Sequence, residues 1–233
     1  MLSSQAERTE PLRIYGPPPL KDFMHSMLKT LPMYIDYKLV IEELKEGGVL
    51  HRGAGYEISC FPVSHRRSCL AYSLNEYERP GIFFPERAEA YGVQKGPLWG
   101  QLQGGHAVTL SNGTTITPEM VMGERRRGRK VSFVTDTIPL AGLSKFVSEA
   151  DLFLCGAMYR DSQAAESLQR GHLTATQAAE IARDGAVVQL GLIHKNPVYS
   201  NGTLKQMLNE AERTFPNTFL AEDLQTIVIP NPA

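Results

Sequence analysis

The stretch KVSFVTDTIP, residues 130–139, determines how the rest of the chain is interpreted. Its apolar residues lie between a charged run and Pro139, a pattern typical of a short, largely buried strand. Such a strand carries Asp136 at its carboxyl end, where layered α/β proteins collect catalytic and ligand-binding groups on a rigid sheet edge. Asp136 is therefore a candidate site residue, although a lone Asp after a strand more often caps a helix or turns the chain.

Two other segments have the same form, a strand that ends on a polar side chain. Residues 57–65 predict a strand ending at His65, and residues 187–194 predict a buried strand ending at His194. Two imidazoles and the carboxylate of Asp136 make a nitrogen and oxygen ligand set suited to zinc or a similar divalent ion. Each histidine alone is more often a surface or hydrogen-bonded core residue, so the metal hypothesis depends on the three occurring together.

Length and charge limit the classes of protein to consider. A chain of 233 residues with 42% hydrophobic content can bury a sizeable core in one domain. The net charge of −1 provides no global field toward nucleic acid. Residues 124–130 nevertheless hold five basic residues in seven positions, which indicates either a local phosphate-binding patch or a solvated loop.

The cysteines and the hydropathy pattern indicate the cellular compartment. The three cysteines, Cys60, Cys69 and Cys155, form no metal-binding or disulfide pattern, which favours buried thiols in a reducing environment. The sequence contains neither a long apolar run that would span a membrane nor a charged and then apolar leader. We therefore expect a cytoplasmic protein without membrane association.

Periodicity and turn residues predict an α/β architecture. From residue 130 onward, helical and strand-like segments alternate, which favours a layered sheet covered by helices. The predicted elements include a strand at 11–15, a helix at 20–31, strands at 37–44 and 49–51 joined by a turn at Gly47-Gly48, a hairpin around Ser111-Asn112-Gly113, and a last strand at 226–229.

Residues 76–128 differ from the rest of the chain. Glycines and prolines recur every few residues, sustained periodicity is lacking, and the run KGPLWGQLQGG occupies residues 95–105. This composition predicts a projecting insertion that exposes a Trp, a Gly-Pro corner and cationic residues. Either a contact arm or a flexible surface loop has this composition.

His172 lies just before a predicted helix. Thr174 and Gln177 form a capping-box pattern, and Gly185 is a natural stop for the helix between them. A histidine in the turn before a helix amino terminus is either an anion-facing catalytic residue or an ordinary helix-entry residue.

Eight segments together resemble ribonuclease Z, the zinc-dependent tRNA 3′-processing endonucleases of the metallo-β-lactamase superfamily. The resemblance covers essentially the whole chain in the family's order. The segments are LRIYGPPPLKDF (12–23), FPVSH (61–65), ERPG (78–81), KGPLWGQLQGG (95–105), VTLSNGTTITPEMVMG (108–123), GRKVSFVTDT (128–137), RGHLTATQAAEIA (170–182) and LGLIHKNPVY (190–199).

The resemblance implies a fold and roles for individual residues. It implies a four-layer αββα metallo-β-lactamase-type sandwich over residues 1–233, with residues 76–128 inserted as a tRNA-binding exosite arm. His65, Asp136 and His194 match zinc ligands, of which the carboxylate bridges two zinc ions, and His172 matches the catalytic histidine. The residues implied in gripping tRNA through the arm are Lys95, Gly96 and Pro97 at its Gly-Pro motif, and Arg125, Arg126 and Arg127 in the basic run.

The sequence departs from the family pattern at several positions. The His-x-His-x-Asp-His motif, which supplies most zinc ligands in the family, occurs nowhere in the sequence. We therefore expect the fold to be incomplete at its amino terminus, and we expect the DNA upstream to encode that motif in frame. Gly156 stands where the family carries a Glu that pairs with the catalytic histidine, Ile138 replaces an Arg, and Leu173 replaces the middle residue of the His-Ser-Thr motif.

The function implied by the resemblance is removal of 3′ trailers from precursor tRNA by a zinc-dependent endoribonuclease. The family binds two zinc ions in a complete site, and we expect weak or substoichiometric zinc here because few ligands are present. The expected partners are precursor tRNA and a second copy of the chain in a homodimer, with no DNA and no membrane. The alternatives are an inactive tRNA-binding or dimerisation module and a metallo-β-lactamase-type hydrolase that acts on a small ester.

Overall fold

The computed structural model describes residues 8–31 and 35–232 and divides into two compact units. The first unit comprises Met1–Asn75 with Lys130–Ile229, and the second comprises Glu76–Arg129 with Pro230–Ala233. The second unit begins at the residue where the sequence predicts the insertion to begin.

The described residues form eleven strands and eight α-helices. The strands are β1 (Leu12–Gly16), β2 (Leu39–Glu43), β3 (Gly48–Arg52), β4 (Tyr56–Ser64), β5 (Ser68–Glu76), β6 (Val108–Thr109), β7 (Thr115–Ile116), β8 (Lys130–Val134), β9 (Leu152–Gly156), β10 (Leu190–Ile193) and β11 (Thr218–Leu220). The helices are α1 (Leu20–Thr30), α2 (Pro85–Ala90), α3 (Pro97–Gln103), α4 (Pro118–Val121), α5 (Leu143–Phe146), α6 (Ala164–Arg170), α7 (Ala175–Asp184) and α8 (Asn201–Glu212).

A mixed seven-stranded sheet forms the centre of the first unit. Its strand order is β11-β10-β9-β8-β5-β4-β3. The four strands from β8 to β11 pair in parallel, whereas β5 is antiparallel to β8 and β3 is antiparallel to β4. The mixed α/β class predicted from the sequence is therefore confirmed, and the carboxyl ends of β8, β9 and β10 lie at one edge of the sheet.

Helices α5, α7 and α8 cover one face of this sheet. The buried face of α7 is built from alanines at helical spacing, Ala175, Ala178, Ala179 and Ala182, which lets the helix lie close to the strands. Strand residues such as Phe153 and Leu192 pack against it, and α8 contributes Met207 and Ala211. This core fixes the positions of the strand ends that carry the site.

A second, smaller sheet pairs β1 with β2 in parallel. Helix α1 packs on it through the buried Met24, and the Tyr72 hydroxyl of the central sheet donates a hydrogen bond to the Tyr15 carbonyl, 3.3 Å away. The strands predicted on either side of the turn at Gly47-Gly48 are present as β2 and β3, but they do not pair with each other. β2 pairs with β1 and β3 pairs with β4, so the glycines carry the chain from one sheet to the other.

The predicted last strand at residues 226–229 is wrong. Those residues form no strand, and Val228 is 84% exposed. The sheet instead ends with β11, which pairs with β10. β-branched residues favour a strand only where a partner strand and a packing surface exist, and here β11 already occupies that edge.

The second unit has a hydrophobic core of its own. Its three helices each begin with a proline at the first helical position, Pro85, Pro97 and Pro118, which explains why the proline-rich sequence lacks long periodicity. The buried core residues are Ala88, Val93, Leu102, Val108, Ile116, Val121 and Met122. The predicted hairpin is confirmed as β6 and β7.

Trp99 in α3 is less exposed than the sequence suggests. Its indole nitrogen donates a hydrogen bond to the Val93 carbonyl at 2.9 Å, and its ring packs against Phe83. The second unit is thus a packed structure in which Trp99 is partly buried against the core, rather than a loop that displays it.

Within residues 8–31 and 35–232, none of the helices combines the length and the apolar character needed to cross a membrane.

Candidate metal centre

Four ionisable side chains converge at the edge of the central sheet in the first unit. His65 follows β4, Asp136 lies two residues beyond β8, and His194 follows β10. His172 comes from the turn between α6 and α7. The structure therefore brings together all four residues that the sequence singled out for metal binding and catalysis.

The distances between these groups are those of a compact cluster. One ligand atom from each of His65, Asp136 and His172 lies within 4.8 Å of the others. The His194 Nε2 atom lies 2.9 Å from the Asp136 Oδ1 atom, and the His172 Nδ1 atom lies 3.5 Å from the same oxygen. The ring of His172 lies between those of His65 and His194, at centroid distances of 4.9 Å and 5.5 Å.

Asp136 Oδ1 is a buried oxygen that accepts no hydrogen bond from any described residue. His194 Nε2 is close enough, but it is not aligned to donate a hydrogen bond to that oxygen. A buried carboxylate oxygen without a hydrogen bond lowers the stability of the folded protein by about 1–3 kcal/mol or more, so such oxygens normally have a binding partner. A divalent cation held by this oxygen and the imidazole nitrogens would satisfy it, and the donor set fits such an ion.

The loop that carries Asp136 is tied to the end of β4. The Ser64 N–H donates to the Thr137 hydroxyl at 3.2 Å, and the Ile138 N–H donates to the Ser64 carbonyl at 3.0 Å. Thr137 is fully buried. These bonds fix the carboxylate of Asp136 relative to the adjacent His65.

Burial lowers the pKa of His172. The neighbouring His65 and His194 and the positive charge of Arg66 lower it further. The carboxylate of Asp136 acts in the opposite direction and partly restores the pKa. The ring of Tyr159, which is almost fully buried, packs against His172 at a centroid distance of 5.9 Å. His172 is thus held in one orientation by aromatic packing, with Asp136 as its nearest carboxylate.

Gly156, at the position where the family carries Glu, leaves no room for a side chain. A Cβ atom there would lie 2.2 Å from the Thr135 carbonyl oxygen, which is far inside van der Waals contact. The glycine is needed for the close approach of β9 to the chain beyond β8. A Glu at this position therefore requires the backbone to move.

His194 adopts a left-handed backbone conformation, with φ of 52°. Residues other than glycine rarely adopt such angles, and those that do are concentrated at functional sites. This turn directs the imidazole of His194 toward Asp136, a feature that strand periodicity alone does not predict.

The basic run of the second unit is largely engaged by its own neighbours. Arg129 donates two side-chain hydrogen bonds to the Glu76 carboxylate, at 2.8 Å and 2.5 Å, and this contact lowers the pKa of Glu76. Arg125 forms an ion pair with Glu78 at 3.2 Å, and Arg126 donates to the Pro80 carbonyl at 3.2 Å. These contacts connect the two chain segments that enter and leave the unit.

Lys95, Gly96 and Pro97 are exposed at the start of α3. The three residues are accessible for a contact, as the arm hypothesis requires. The second unit also has a cleft of about 620 Å³ that the sequence did not reveal, with Glu119, Glu124 and Arg125 in its lining.

Comparison with curated proteins identifies close relatives over nearly the whole chain. The Ribonuclease Z of Treponema denticola is 42% identical over 227 residues, which is 97% of this chain and 74% of that protein. The Ribonuclease Z of Treponema pallidum strain Nichols is 43% identical over 223 residues, covering 96% and 72%. The Ribonuclease Z of Haloferax volcanii is 33% identical over 225 residues, covering 96% and 71%. No family model matches the chain.

Two solved structures share the fold at low sequence identity. The short form of human tRNase Z superposes with a TM-score of 0.63 at 19% identity, covering 98% of this chain and 72% of the human chain. The metallo-β-lactamase fold protein YhfI of Bacillus subtilis has a TM-score of 0.54 at 15% identity, covering 92% and 64%. The metallo-β-lactamase-type fold predicted from the sequence is thereby confirmed.

Two of these relatives exceed 40% identity across almost the entire chain, and the fold agrees with them. The resemblance stated from eight sequence segments is therefore confirmed, and the chain belongs to the ribonuclease Z family.

Proposed function

We propose that the chain is a zinc-dependent endoribonuclease that removes 3′ trailers from precursor tRNA. The observation that carries the hydrolytic part is the cluster of His65, Asp136 and His172, with His194 Nε2 2.9 Å from the unsatisfied Asp136 Oδ1 atom. The RNA substrate is inferred from relatives named Ribonuclease Z at 42% and 43% identity. The hypothesis of an inactive tRNA-binding or dimerisation module is not favoured by these relatives.

The proposed metal ligands are His65, Asp136 and His194. When bound, a zinc ion lowers the pKa of a coordinated water and stabilises negative charge on the phosphate oxygens. The three side chains would hold the ion through nitrogen and oxygen atoms, and Asp136 would contribute the charge that an imidazole lacks. Three ligands give limited affinity, so we expect weak or substoichiometric zinc.

His172 is the proposed proton-transfer residue. General acid–base catalysis requires a group whose pKa is near the working pH, and burial and Asp136 act on the pKa of His172 in opposite directions. Its ring neighbours those of both proposed histidine ligands, and its Nδ1 atom lies 3.5 Å from Asp136 Oδ1. In this role it gives a proton to the oxygen that leaves when the trailer is cut.

Residues 76–128 are the proposed tRNA-binding arm. Lys95 with Gly96 and Pro97 provides an exposed cationic corner, and Arg125, Arg126 and Arg127 provide the basic run. An exposed ion pair such as Arg125 with Glu78 contributes little to stability, so Arg125 can exchange its partner for a phosphate group. We expect these contacts to position tRNA without reading its sequence. A homodimer and a cytoplasmic location stay predictions.

The test is cleavage of a precursor tRNA that carries a labelled 3′ trailer, with zinc added, by the wild type and by Asp136→Asn. The substitution keeps the shape of the side chain but removes its charge, so we expect trailer release by the wild type and none by the variant. Asp184→Asn is the matched control, since that carboxylate is about half exposed and pairs with Arg183. Trailer release by Asp136→Asn at the wild-type rate, or none by the wild type, would contradict the proposal.

A further inference from the structure

The turn that ends α6 links two of the four site residues. Gly171 adopts the left-handed conformation with φ of 83°, and its N–H donates to the Leu168 carbonyl at 3.1 Å. The N–H of His172 donates to the Ser167 carbonyl at 2.9 Å. These two bonds form a Schellman motif, the helix ending that requires a left-handed residue, usually glycine. The backbone of His172 is therefore fixed by the end of the helix.

The carbonyl of Gly171 also contacts the side chain of His65. The oxygen lies 3.0 Å from the His65 Nδ1 atom. A carbonyl only accepts, so Nδ1 carries the proton in this hydrogen bond, and in the neutral imidazole Nε2 then keeps its lone pair. A metal ligand must offer an unprotonated nitrogen, so this contact selects the tautomer in which Nε2 is the ligand atom.

The absence of a side chain at Gly171 leaves room for the imidazole of His65. A Cβ atom at this position would lie 2.6 Å from the His65 Nδ1 atom, closer than real Cβ contacts allow. The backbone conformation independently disfavours a side chain, because the left-handed region is strained for other residues. Two separate requirements, one from α6 and one from His65, therefore meet at this glycine.

The end of α6 also binds the carbonyl group of His172. The hydroxyl of Ser167, which is fully buried, donates to the His172 carbonyl at 2.9 Å. His172 is thus bonded to Ser167 through both its N–H and its carbonyl group. The end of α6 leaves the backbone of His172 little freedom to move relative to His65.

We propose that Gly171 is a positioning residue that sets the tautomer of His65 and the placement of His172 together. Its carbonyl directs the proton of His65 to Nδ1, and its left-handed turn delivers His172 to the adjacent position. The roles of His65 as a ligand and of His172 in catalysis rest on the proposed function. The tautomer of His65 and its dependence on Gly171 do not.

The test is long-range ¹H–¹⁵N NMR of the metal-free protein, which distinguishes the two neutral tautomers of each histidine. We expect His65 to be protonated at Nδ1 in the wild type and to lose this preference in Gly171→Ala. Gly142→Ala is the matched control, because Gly142 has a similar φ of 89° and a Cβ there meets only Phe61, at an ordinary distance of 3.5 Å. The control should keep the wild-type tautomer.

A second readout is the affinity of the same proteins for Co²⁺, followed by its absorption spectrum. Loss of a partner that orients a ligand typically weakens metal affinity 10–100-fold, so we expect about that loss in Gly171→Ala and none in Gly142→Ala. His65 protonated at Nε2 in the wild type would overturn the proposal. A Gly171→Ala protein with the wild-type tautomer and the wild-type Co²⁺ affinity would overturn it as well.

Two features keep the test decisive. If Gly171→Ala does not fold, Gly171→Asn replaces it, since Asn tolerates the left-handed conformation better and its Cβ intrudes on His65 in the same way. A wild type that shows the expected tautomer but does not cleave precursor tRNA would refute the proposed function and leave the assignment of Gly171 to His65 intact.

Discussion

Two carboxylates of the chain, Asp136 and Glu76, differ in whether their oxygens accept hydrogen bonds within the protein. Asp136 in the first unit has a buried oxygen that accepts no hydrogen bond from the described residues, although imidazole nitrogens lie 2.9 Å and 3.5 Å away. Glu76 in the second unit has both oxygens occupied by Arg129. The first arrangement leaves an acceptor that a cation would satisfy, whereas the second is satisfied within the chain. An unsatisfied group marks a binding site, and a satisfied one marks a structural link.

The same contrast separates two kinds of basic residue in the second unit. Arg125, Arg126 and Arg129 have intramolecular acceptors, so their positive charges serve the unit itself before any ligand. Lys95 is exposed beside the Gly-Pro corner. A run of arginines in a sequence therefore overstates the charge that is available for a phosphate backbone.

The largest effect is expected from two substitutions that separate the catalytic role of His172 from the metal-binding role of His194. His172→Ala should reduce the cleavage rate about 10²–10⁴-fold, the usual contribution of a proton-transfer group, and should keep bound metal. His194→Ala should lose both metal and cleavage, because it removes a ligand. Rates and metal content are measured on the same preparations. Loss of metal in His172→Ala with metal retained in His194→Ala would exchange the two roles.

Removal of a core side chain tests whether the second unit is a packed structure. Leu102 is fully buried, so Leu102→Ala should destabilise that unit by about 2–5 kcal/mol through lost burial and the remaining cavity. Hydrogen exchange should show faster exchange in Glu76–Arg129 and unchanged protection in the first unit. Leu224→Ala, at a fully exposed position, is the control and should change neither. Unchanged exchange in Leu102→Ala would show that the second unit lacks a cooperative core.

Charge removal from the arm should have a moderate effect that depends on salt. Lys95→Ala and Arg126→Ala should each weaken tRNA binding several-fold at low salt and reduce the slope of log K against log salt by roughly 0.7–0.9 per lost phosphate contact. The Lys95 substitution should cost more, since Arg126 already donates to the Pro80 carbonyl. Lys205→Ala on the exposed side of α8 is the control. Equal affinities in all three variants and the wild type would exclude the arm as the element that holds tRNA.

The smallest effect is expected from the satisfied carboxylate. Glu76→Gln should destabilise the second unit by about 0.5–1 kcal/mol at neutral pH, a value limited by solvent because the Arg129 side chain is 39% exposed. Arg129 lowers the pKa of Glu76 below its ordinary 4.5, so the stabilisation is present above that pH and is lost as the pH falls through the lowered pKa. Denaturant unfolding should therefore show the wild type and variant converging in acid. Glu89→Gln, exposed on α2, should match the wild type at every pH.

The clustering of these four residues could be expected from the sequence because each residue follows a recognisable local signal. Asp136, His65 and His194 come after apolar runs that form strands, and parallel strands bring their carboxyl ends to one edge. His172 precedes a capping box that the structure confirms at Thr174. These signals are short-range, so a single sequence contains them.

Other features depend on contacts between residues far apart in the chain, and the sequence did not predict them. The pairing of β2 with β1 rather than β3 depends on which sheet edge is free, and the missing strand at 226–229 has the same cause. The acceptors of the arginines lie about 50 positions away, at Glu76, Glu78 and Pro80. The contact between Gly171 and His65 joins residues 106 positions apart. The only local sign of it in the sequence is that a glycine precedes His172.

The central claim is that Asp136 and its neighbouring histidines hold a metal ion. The most direct measurement is metal bound per chain, by elemental analysis after dialysis against zinc and by Co²⁺ titration, in the wild type and in Asp136→Asn. We predict saturable binding of fewer than two ions per chain in the wild type and none in the variant. Equal binding by both proteins, no binding by the wild type, or two ions retained per chain after dialysis would contradict this account.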